Sequence, residues 1–219
     1  MDKSIVIICD GSFPKSEYPR YIIRTADFII CCDGALSKFI KHSERIFGTE
    51  RLPDLVIGDM DTLSAAMQKK YADIIIREDE QEHNDQTKAV RWALNNLTDI
   101  GSIHILGATG GRADHTIGNL SLLMEYTRMF DLGDIQIETV TDEGTIFPVT
   151  DTIEFDCGSG REISIFSPDS SLRITSEGLA YKTDDVIFDN WWKATLNKAS
   201  EDKVRLEFNH RSMALIMMN

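Results

Sequence analysis

The chain has 219 residues, a formal net charge of −13, 27% charged side chains and 42% hydrophobic ones. That length suits one large domain or a medium domain with a small companion, and the apolar fraction can bury an ordinary core. Lys and Arg are too few to neutralise a phosphate track, which excludes a general nucleic-acid surface; a small anionic ligand stays compatible, because one divalent cation outweighs the global field locally.

In chain order, residues 4–9 (SIVIIC) form an apolar run of strand length, too short for a signal core or a membrane span. Residues 18–25 read as a short helix. The apolar run 28–32 ends in Asp33-Gly34-Ala35, and a second short helix is expected over 35–42. The run 55–57 ends in Gly58-Asp59-Met60-Asp61-Thr62, followed by a helix over 63–71 with Thr62 or Ser64 as its cap. Residues 74–76 lead through Glu78-Asp79 into Asn84-Asp85-Gln86-Thr87-Lys88, where Ala89, Val90, Ala93, Leu94 and Leu97 form the apolar stripe of a helix over 85–97. The run 103–106 ends in Gly107-Ala108-Thr109-Gly110-Gly111-Arg112-Ala113-Asp114. A long helix over 115–130 is expected next, with Leu120, Leu123, Met124 and Thr127 inward and Gly133 ending it, and then a strand over 135–140.

Beyond residue 140 the helical signals stop. Residues 145–149, 153–155, 162–166, 172–175, 186–188, 204–208 and 214–218 are short, rich in β-branched or aromatic side chains, and separated by Gly, Pro, Asp and Ser. The fold class expected is α/β: a parallel-sheet nucleotide-binding domain over residues 1–143, then a small all-β sandwich over 144–219.

Turns that follow successive parallel strands converge outside the carboxyl ends of the sheet, where such sheets bind ligands. Carboxylates gathered there repel each other, and a divalent cation with a polyphosphate relieves that repulsion. Gly58-Asp59-Met60-Asp61 reads either as a turn that uses Asp and Gly for backbone reasons or as two carboxylates on one side of a continued strand, suited to Mg²⁺. Asp85 and Lys88 share a helix face, so they make either a solvent ion pair or, with the helix N-terminus, a place for one metal and one phosphate. Gly107, Gly110 and Gly111 permit a tight backbone approach, and Arg112 adds a planar cation suited to phosphate. The segment is not a Walker A loop, because no Gly-Lys-Ser/Thr follows. His115 at the helix start reads as a cap or a base. Cys9, Cys31, Cys32 and Cys157 show neither CxxC nor zinc spacing and read as buried thiols of a reducing compartment. Paired tryptophans in Asp189-Asn190-Trp191-Trp192 read as packing residues or as an aromatic, acidic face for a cation.

Together, the segments 32–35, 58–62, 80–88 and 107–115 resemble, in order and spacing, the thiamine pyrophosphokinase family, and Ser176-Glu177-Gly178-Leu179-Ala180-Tyr181 resembles its C-terminal Gly-Leu-x-Tyr/Trp segment. The resemblance implies transfer of a pyrophosphoryl group from ATP to the hydroxyl of thiamine, giving thiamine diphosphate and AMP. It implies Mg²⁺ held by Asp59, Asp61 and Asp85, and an ATP and phosphate site of Gln81, Thr87, Lys88, Arg112 and Asp114 with Asp33 at its edge. Trp191 from its chemistry, and Thr195 and Asn197 from the family's Thr-Ser-Asn-type stretch, are the thiamine-binding candidates; Leu196 stands where that stretch has Ser. A cytoplasmic homodimer with thiamine and ATP as its small-molecule partners, and neither nucleic acid nor membrane, completes the expectation. The competing readings are another Mg²⁺-dependent nucleotide hydrolase or phosphotransferase on the same scaffold, and a non-catalytic ATP sensor.

Overall fold

A computed structural model describes residues 2–219. The polypeptide divides into two compact units, one of residues 1–122 and 132–142, the other of residues 123–131 and 143–219.

The first unit alternates strands and helices: β1 (Lys3–Ile8), α1 (Glu17–Thr25), β2 (Phe28–Cys32), α2 (Ala35–Phe47), β3 (Leu55–Gly58), α3 (Ala65–Lys70), β4 (Ile75–Arg77), α4 (Asp85–Asn96), β5 (Ile100–Leu106), the first part of α5 (Ala113–Met129) and β6 (Gln136–Val140). All six strands are parallel, in the order β6-β5-β1-β2-β3-β4. The chain runs outward from β1 to β4 and then returns to β5 on the other side of β1, so the direction of winding switches between β1 and β5. A crevice opens at such a switch, outside the carboxyl ends. Strands covered on both faces need continuous apolar runs, and Ile5 to Ile8 and Ile29 to Cys31 have no exposed surface. Each such isoleucine adds about 1.5–3 kcal/mol of burial free energy.

Local signals set the helix starts. Ser64 caps α3 by accepting from the Met67 N–H, and Asn84 caps α4 by accepting from the Thr87 N–H at 3.0 Å. The α2 helix runs past the expected residue 42, because the Ser43 hydroxyl donates to the Ile40 carbonyl within the helix and Gly48, at φ 75°, closes the end five residues later. The α5 helix stops at Met129 and not at Gly133, which turns the chain at φ 51° beyond it. Its fully buried residues are Leu123 and Tyr126, with Met124 nearly so; Leu120 and Thr127 are only partly covered.

The second unit holds two antiparallel sheets. One has the order β11 (Ala194–Lys198), β9 (Glu162–Phe166), β13 (Ala214–Met218), β7 (Thr145–Val149); the other has β10 (Ile174–Glu177), β12 (Lys203–Phe208), β8 (Ile153–Asp156). Both contribute to one core, in which Ile163, Ile165 and Ile216 meet Ile174, Val204 and Leu206. Two expectations fail here. Residues 186–188 are not a strand: Phe188 drops into the core from a loop in which the Val186 N–H donates to the Thr183 carbonyl. The strand expected at 172–175 begins at Ile174, because Asp169 folds residues 169–172 into a turn by accepting from the Ser171 N–H and hydroxyl. The strand β11 escapes its pattern because Leu196, at φ 61°, bulges outward and breaks the alternation.

Among the described residues, no helix is long and apolar enough to cross a membrane. All four cysteines are free, and Cys9, Cys31 and Cys32 are buried.

Candidate active site

The turns after β1 to β5 enclose a cleft of about 470 Å³, whose lining includes Asp10, Asp33, Asp59, Asp61, Gln81, Asp85, Lys88 and Arg112. Two of these turns need left-handed backbone at residues other than glycine. Asp33 sits at φ 38° and Met60 at φ 64°. Asp tolerates that conformation, whereas for Met it stores on the order of 1–2 kcal/mol. The Met60 side chain is buried, and Gln68 Nε2 donates to its carbonyl at 2.8 Å, which holds the strained turn.

The left-handed Met60 between Asp59 and Asp61 turns the chain there, in place of a continued strand. Asp33, Asp59 and Asp85 offer ligand oxygens that all lie within 4.8 Å of one another. Asp61 lines the same cleft beside Asp33 and Asp59, and its carboxylate accepts from the Thr62 hydroxyl at 2.9 Å. Gly58 permits the convergence: at φ 155°, a Cβ there would come 3.0 Å from Asp33 Cβ and 3.1 Å from Asp85 Cγ.

Each carboxylate is held differently. Asp33, nearly inaccessible, accepts from the Thr62 N–H at 2.9 Å and the Leu63 N–H at 3.1 Å, so it ties the end of β2 to the turn after β3. Burial pushes its carboxyl above the ordinary value, against the pull of the Thr62 and Leu63 donors. Burial likewise raises Asp85; Lys88 opposes the shift, and the charges of Asp59 and Asp33 add to it. Asp59 moves the other way, chiefly because the Gln81 amide donates to it at 3.2 Å and then because the Asp61 N–H does so. Two crowded carboxylates with raised affinity for a proton form a donor set that a hard divalent cation relieves.

Lys88 is 2% exposed, and its ammonium donates to Asp85 at 3.2 Å. Removing the partner of such a buried charge costs about 3–5 kcal/mol. Thr87, expected at the phosphates, is buried within α4 and is absent from the cleft lining among the described residues. Arg112 does line the cleft, but its guanidinium is paired with Asp114 through bonds of 2.5 and 3.1 Å, and Asp114 itself is not in the lining. That pairing holds the Asp114 carboxyl down at about 2. Gly107 lets the two loops at the switch point pack: a Cβ there would collide with the Cys9 carbonyl oxygen, and the Gly11 N–H donates to the Gly107 carbonyl at 2.8 Å.

Sequence reading passed over the supports of this site. Arg91, on the outer turns of α4, reaches Glu78 at 2.7 Å, Glu80 at 3.4 Å and His83 Nδ1 at 3.4 Å, and so anchors the loop that carries Gln81. Lys38 uses its ammonium on the carbonyls of Asp10 and Gly11 and on the Asp10 carboxylate, at 2.6 to 2.8 Å. Only the sign of the charge was available as a signal for either.

The remaining candidates belong to the antiparallel unit. Trp191 is half exposed, with its ring centroid 5.3 Å from that of Phe166. Thr195 is partly buried, and its N–H donates to the Trp192 carbonyl at 3.3 Å. Asn197 is buried and saturated by backbone: Oδ1 accepts from the Tyr181 and Lys198 N–H groups, and Nδ2 donates to the Tyr181 carbonyl at 2.6 Å.

Comparison with known proteins adds the following. Residues 19–132 match the family model described as thiamin pyrophosphokinase, catalytic domain, and residues 144–215 match that described as thiamin pyrophosphokinase, substrate-binding domain. Thiamin pyrophosphokinase 1 of Caenorhabditis elegans is 29% identical over 105 residues, covering 46% of this chain and 41% of the nematode protein, so the match spans less than half of that relative's length. Thiamine pyrophosphokinase 1 of rice is 25% identical over 202 residues, covering 81% of this chain and 74% of its own. The crystal structure of thiamine pyrophosphokinase from Bacillus subtilis has the same fold, with a TM-score of 0.77 at 20% identity over 99% of both chains.

Proposed function

Since the chain belongs to the thiamin pyrophosphokinase family, matched in both its catalytic and its substrate-binding parts, we propose that it transfers the pyrophosphoryl group of ATP to the hydroxyl of thiamine, releasing AMP. The observation that carries this reading is the cluster of Asp33, Asp59 and Asp85 beside the buried Lys88, at the switch point of a parallel sheet. The cleft of about 470 Å³ is of the size that takes a small-molecule ligand.

The roles follow from the groups. Asp59, Asp61 and Asp85, with Asp33 in reach, would hold Mg²⁺. An ion held there would supply charge neutralisation on the triphosphate. Lys88 sets a fixed positive charge at the start of α4, whose free N–H groups favour the same anion. Gln81 orients Asp59. Arg112 exchanges Asp114 for phosphate when the nucleotide enters, while Thr87 acts from within the helix as part of the α4 turn. The thiamine hydroxyl, a weak nucleophile at neutral pH, would be aligned on the β-phosphorus and give its proton to a rim carboxylate, one of Asp59, Asp61 and Asp85.

The antiparallel sheets serve as a β-sandwich for thiamine and for pairing with a second copy. Leu196 at 88% exposure, with Trp191 and Trp192 half exposed on the same run, supplies an apolar surface of the kind a homodimer buries. Asn197 shapes that run through Tyr181, and Trp191 and Thr195 would contact thiamine. Buried free thiols suit a reducing cytoplasm. Incubation with Mg²⁺, ATP and thiamine, followed by chromatography, tests the reading: thiamine diphosphate and AMP are expected in equal amounts. AMP or ADP released without thiamine would replace it by a nucleotide hydrolase, and nucleotide binding without turnover by a sensor. Sedimentation velocity of Leu196→Glu against the parent tests the dimer.

A further inference from the structure

The groups assigned to metal and phosphate lie on two segments that no strand pairing joins directly: the first turn of α4, with Asp85 and Lys88, and the glycine-rich turn after β5. One side chain bridges them. Asn119, in the second turn of α5, donates from Nδ2 to the Ala108 carbonyl at 2.9 Å and accepts at Oδ1 from Asn84 Nδ2 at 2.8 Å. Its backbone carbonyl accepts from Gln86 Nε2 at 3.1 Å. Asn84 is at the same time the N-cap of α4, accepting from the Thr87 N–H at 3.0 Å. Gln86 in turn accepts from the Cys9 thiol at 3.6 Å, at the end of β1. The asparagine therefore closes a circuit through the end of β1, the start of α4 and the turn after β5.

The geometry points to Asn119 as a positioning residue for the transfer. Both of its amide atoms are committed to protein partners, so it acts through Asn84 and Ala108, by fixing the axial position of α4 against the glycine turn. This rests on the assignment of Asp85 and Lys88 to the metal and the triphosphate. An amide is required because the site needs one donor and one acceptor in the same plane. A carboxylate keeps only the acceptor side, and leucine, of similar shape, keeps neither. A displaced α4 would move Asp85 relative to Asp33 and Asp59, and small displacements of reacting groups are costly while ground-state binding of a remote substrate is not.

The test uses the full chain in four variants: Asn119→Leu, Asn119→Asp, Asn84→Ser (which keeps a capping hydroxyl but cannot reach Asn119) and the double variant Asn84→Ser/Asn119→Leu. Asn119→Leu is expected to lower kcat about tenfold to hundredfold while KM for thiamine stays within about twofold. Asn119→Asp should recover part of that loss, and the double variant should be no slower than the slower single one, because both break the same link. Mn²⁺ binding measured by electron paramagnetic resonance without substrates should weaken in Asn119→Leu. This arm needs no turnover, so a parent protein that makes no thiamine diphosphate would sink the assigned activity and leave the positioning claim testable on metal affinity. Parent-like kcat and Mn²⁺ affinity in Asn119→Leu, or strictly additive losses in the double variant, would overturn the proposal. Should Asn119→Leu not fold, Asn119→Asp and Asn84→Ser, compared singly and combined, decide it by the same additivity.

Discussion

The two units use buried polar side chains in opposite ways. In the α/β unit, Asp33, Gln86 and Lys88 are buried beside one cleft, and Asp59, Asp61 and Asp85 lie along the same rim. In the antiparallel unit, the buried polar groups close loops onto their own backbone. The Ser167 hydroxyl donates to the Met213 carbonyl, the Thr183 hydroxyl to the Ile174 carbonyl, and the Asn197 amide binds both backbone groups of Tyr181. The cause is topological. Parallel strands joined by helices bring every strand-to-helix turn to one edge, so distant carboxylates accumulate there. Hairpins return the chain at alternating ends, which scatters turn residues and leaves each to satisfy its own neighbourhood.

The comparison can be broken first at the carboxylates. Asp59→Asn, which removes a charge without removing volume, is expected to lower kcat by about 10²–10³, as loss of one preorganised electrostatic group does elsewhere; a steady-state assay of thiamine diphosphate checks it. A loss of less than about tenfold would mean the rim is not where charge develops. Gly58→Ala comes next. A methyl group would press between Asp33 and Asp85, so turnover should fall about tenfold to hundredfold. Gly48→Ala is the control: its φ is also positive, at 75° against 155° for Gly58, but a Cβ there meets nothing within 4 Å, and the cost should be about 1 kcal/mol of stability with the rate retained. The contrast between these two glycines, read by parallel kinetics and urea unfolding, separates backbone strain from damage to the cluster.

The antiparallel unit predicts the reverse signature. Thr183→Val strands the Ile174 carbonyl in a buried position, which should cost about 1–3 kcal/mol in urea unfolding and leave Mn²⁺ affinity at the rim unchanged. A drop in that affinity would show that the units do not divide their labour in this way. The smallest effect concerns Arg112 and Asp114, both exposed. The Asp114 carboxyl is held at about 2 chiefly because Arg112 donates to it; in Arg112→Ala a carbon-detected NMR titration should find it raised, yet still below the ordinary carboxylate value because the His115 N–H continues to donate. The sign follows: a carboxyl lowered in the folded state contributes stability above its unfolded value, and that contribution fades as pH falls toward about 2. Exposure keeps the effect small.

Much of the α/β unit was legible because its signals are local. Apolar runs at residues 28–32 and 55–57, a capping asparagine before α4 and glycines at a turn each act within a few residues. Asp33 was legible only as an edge residue, since its bonds to Thr62 and Leu63 span about thirty positions. The left-handed turn at Met60 was not legible at all: φ 64° is a conformation that the residue type disfavours and that the core around Met60, with Gln68 on its carbonyl, enforces. In the antiparallel unit, Ile187 and Phe188 have strand-like alternation and no strand partner, while β11 has a partner and a bulge that hides its alternation. Pairing is a property of two segments, so one segment's pattern could assign neither.

Sequence alone determined the class of this protein: an order of apolar runs, acidic turns and a glycine-rich loop that belongs to one family, because short-range sterics and burial dictate strands, helices and turns residue by residue. Tertiary structure alone decided which three of the rim's carboxylates share a space, which cation stays buried and which is tied up at the surface, and that one asparagine joins the pieces. Those outcomes are set by distances between segments far apart in the chain, fixed only when the core closes.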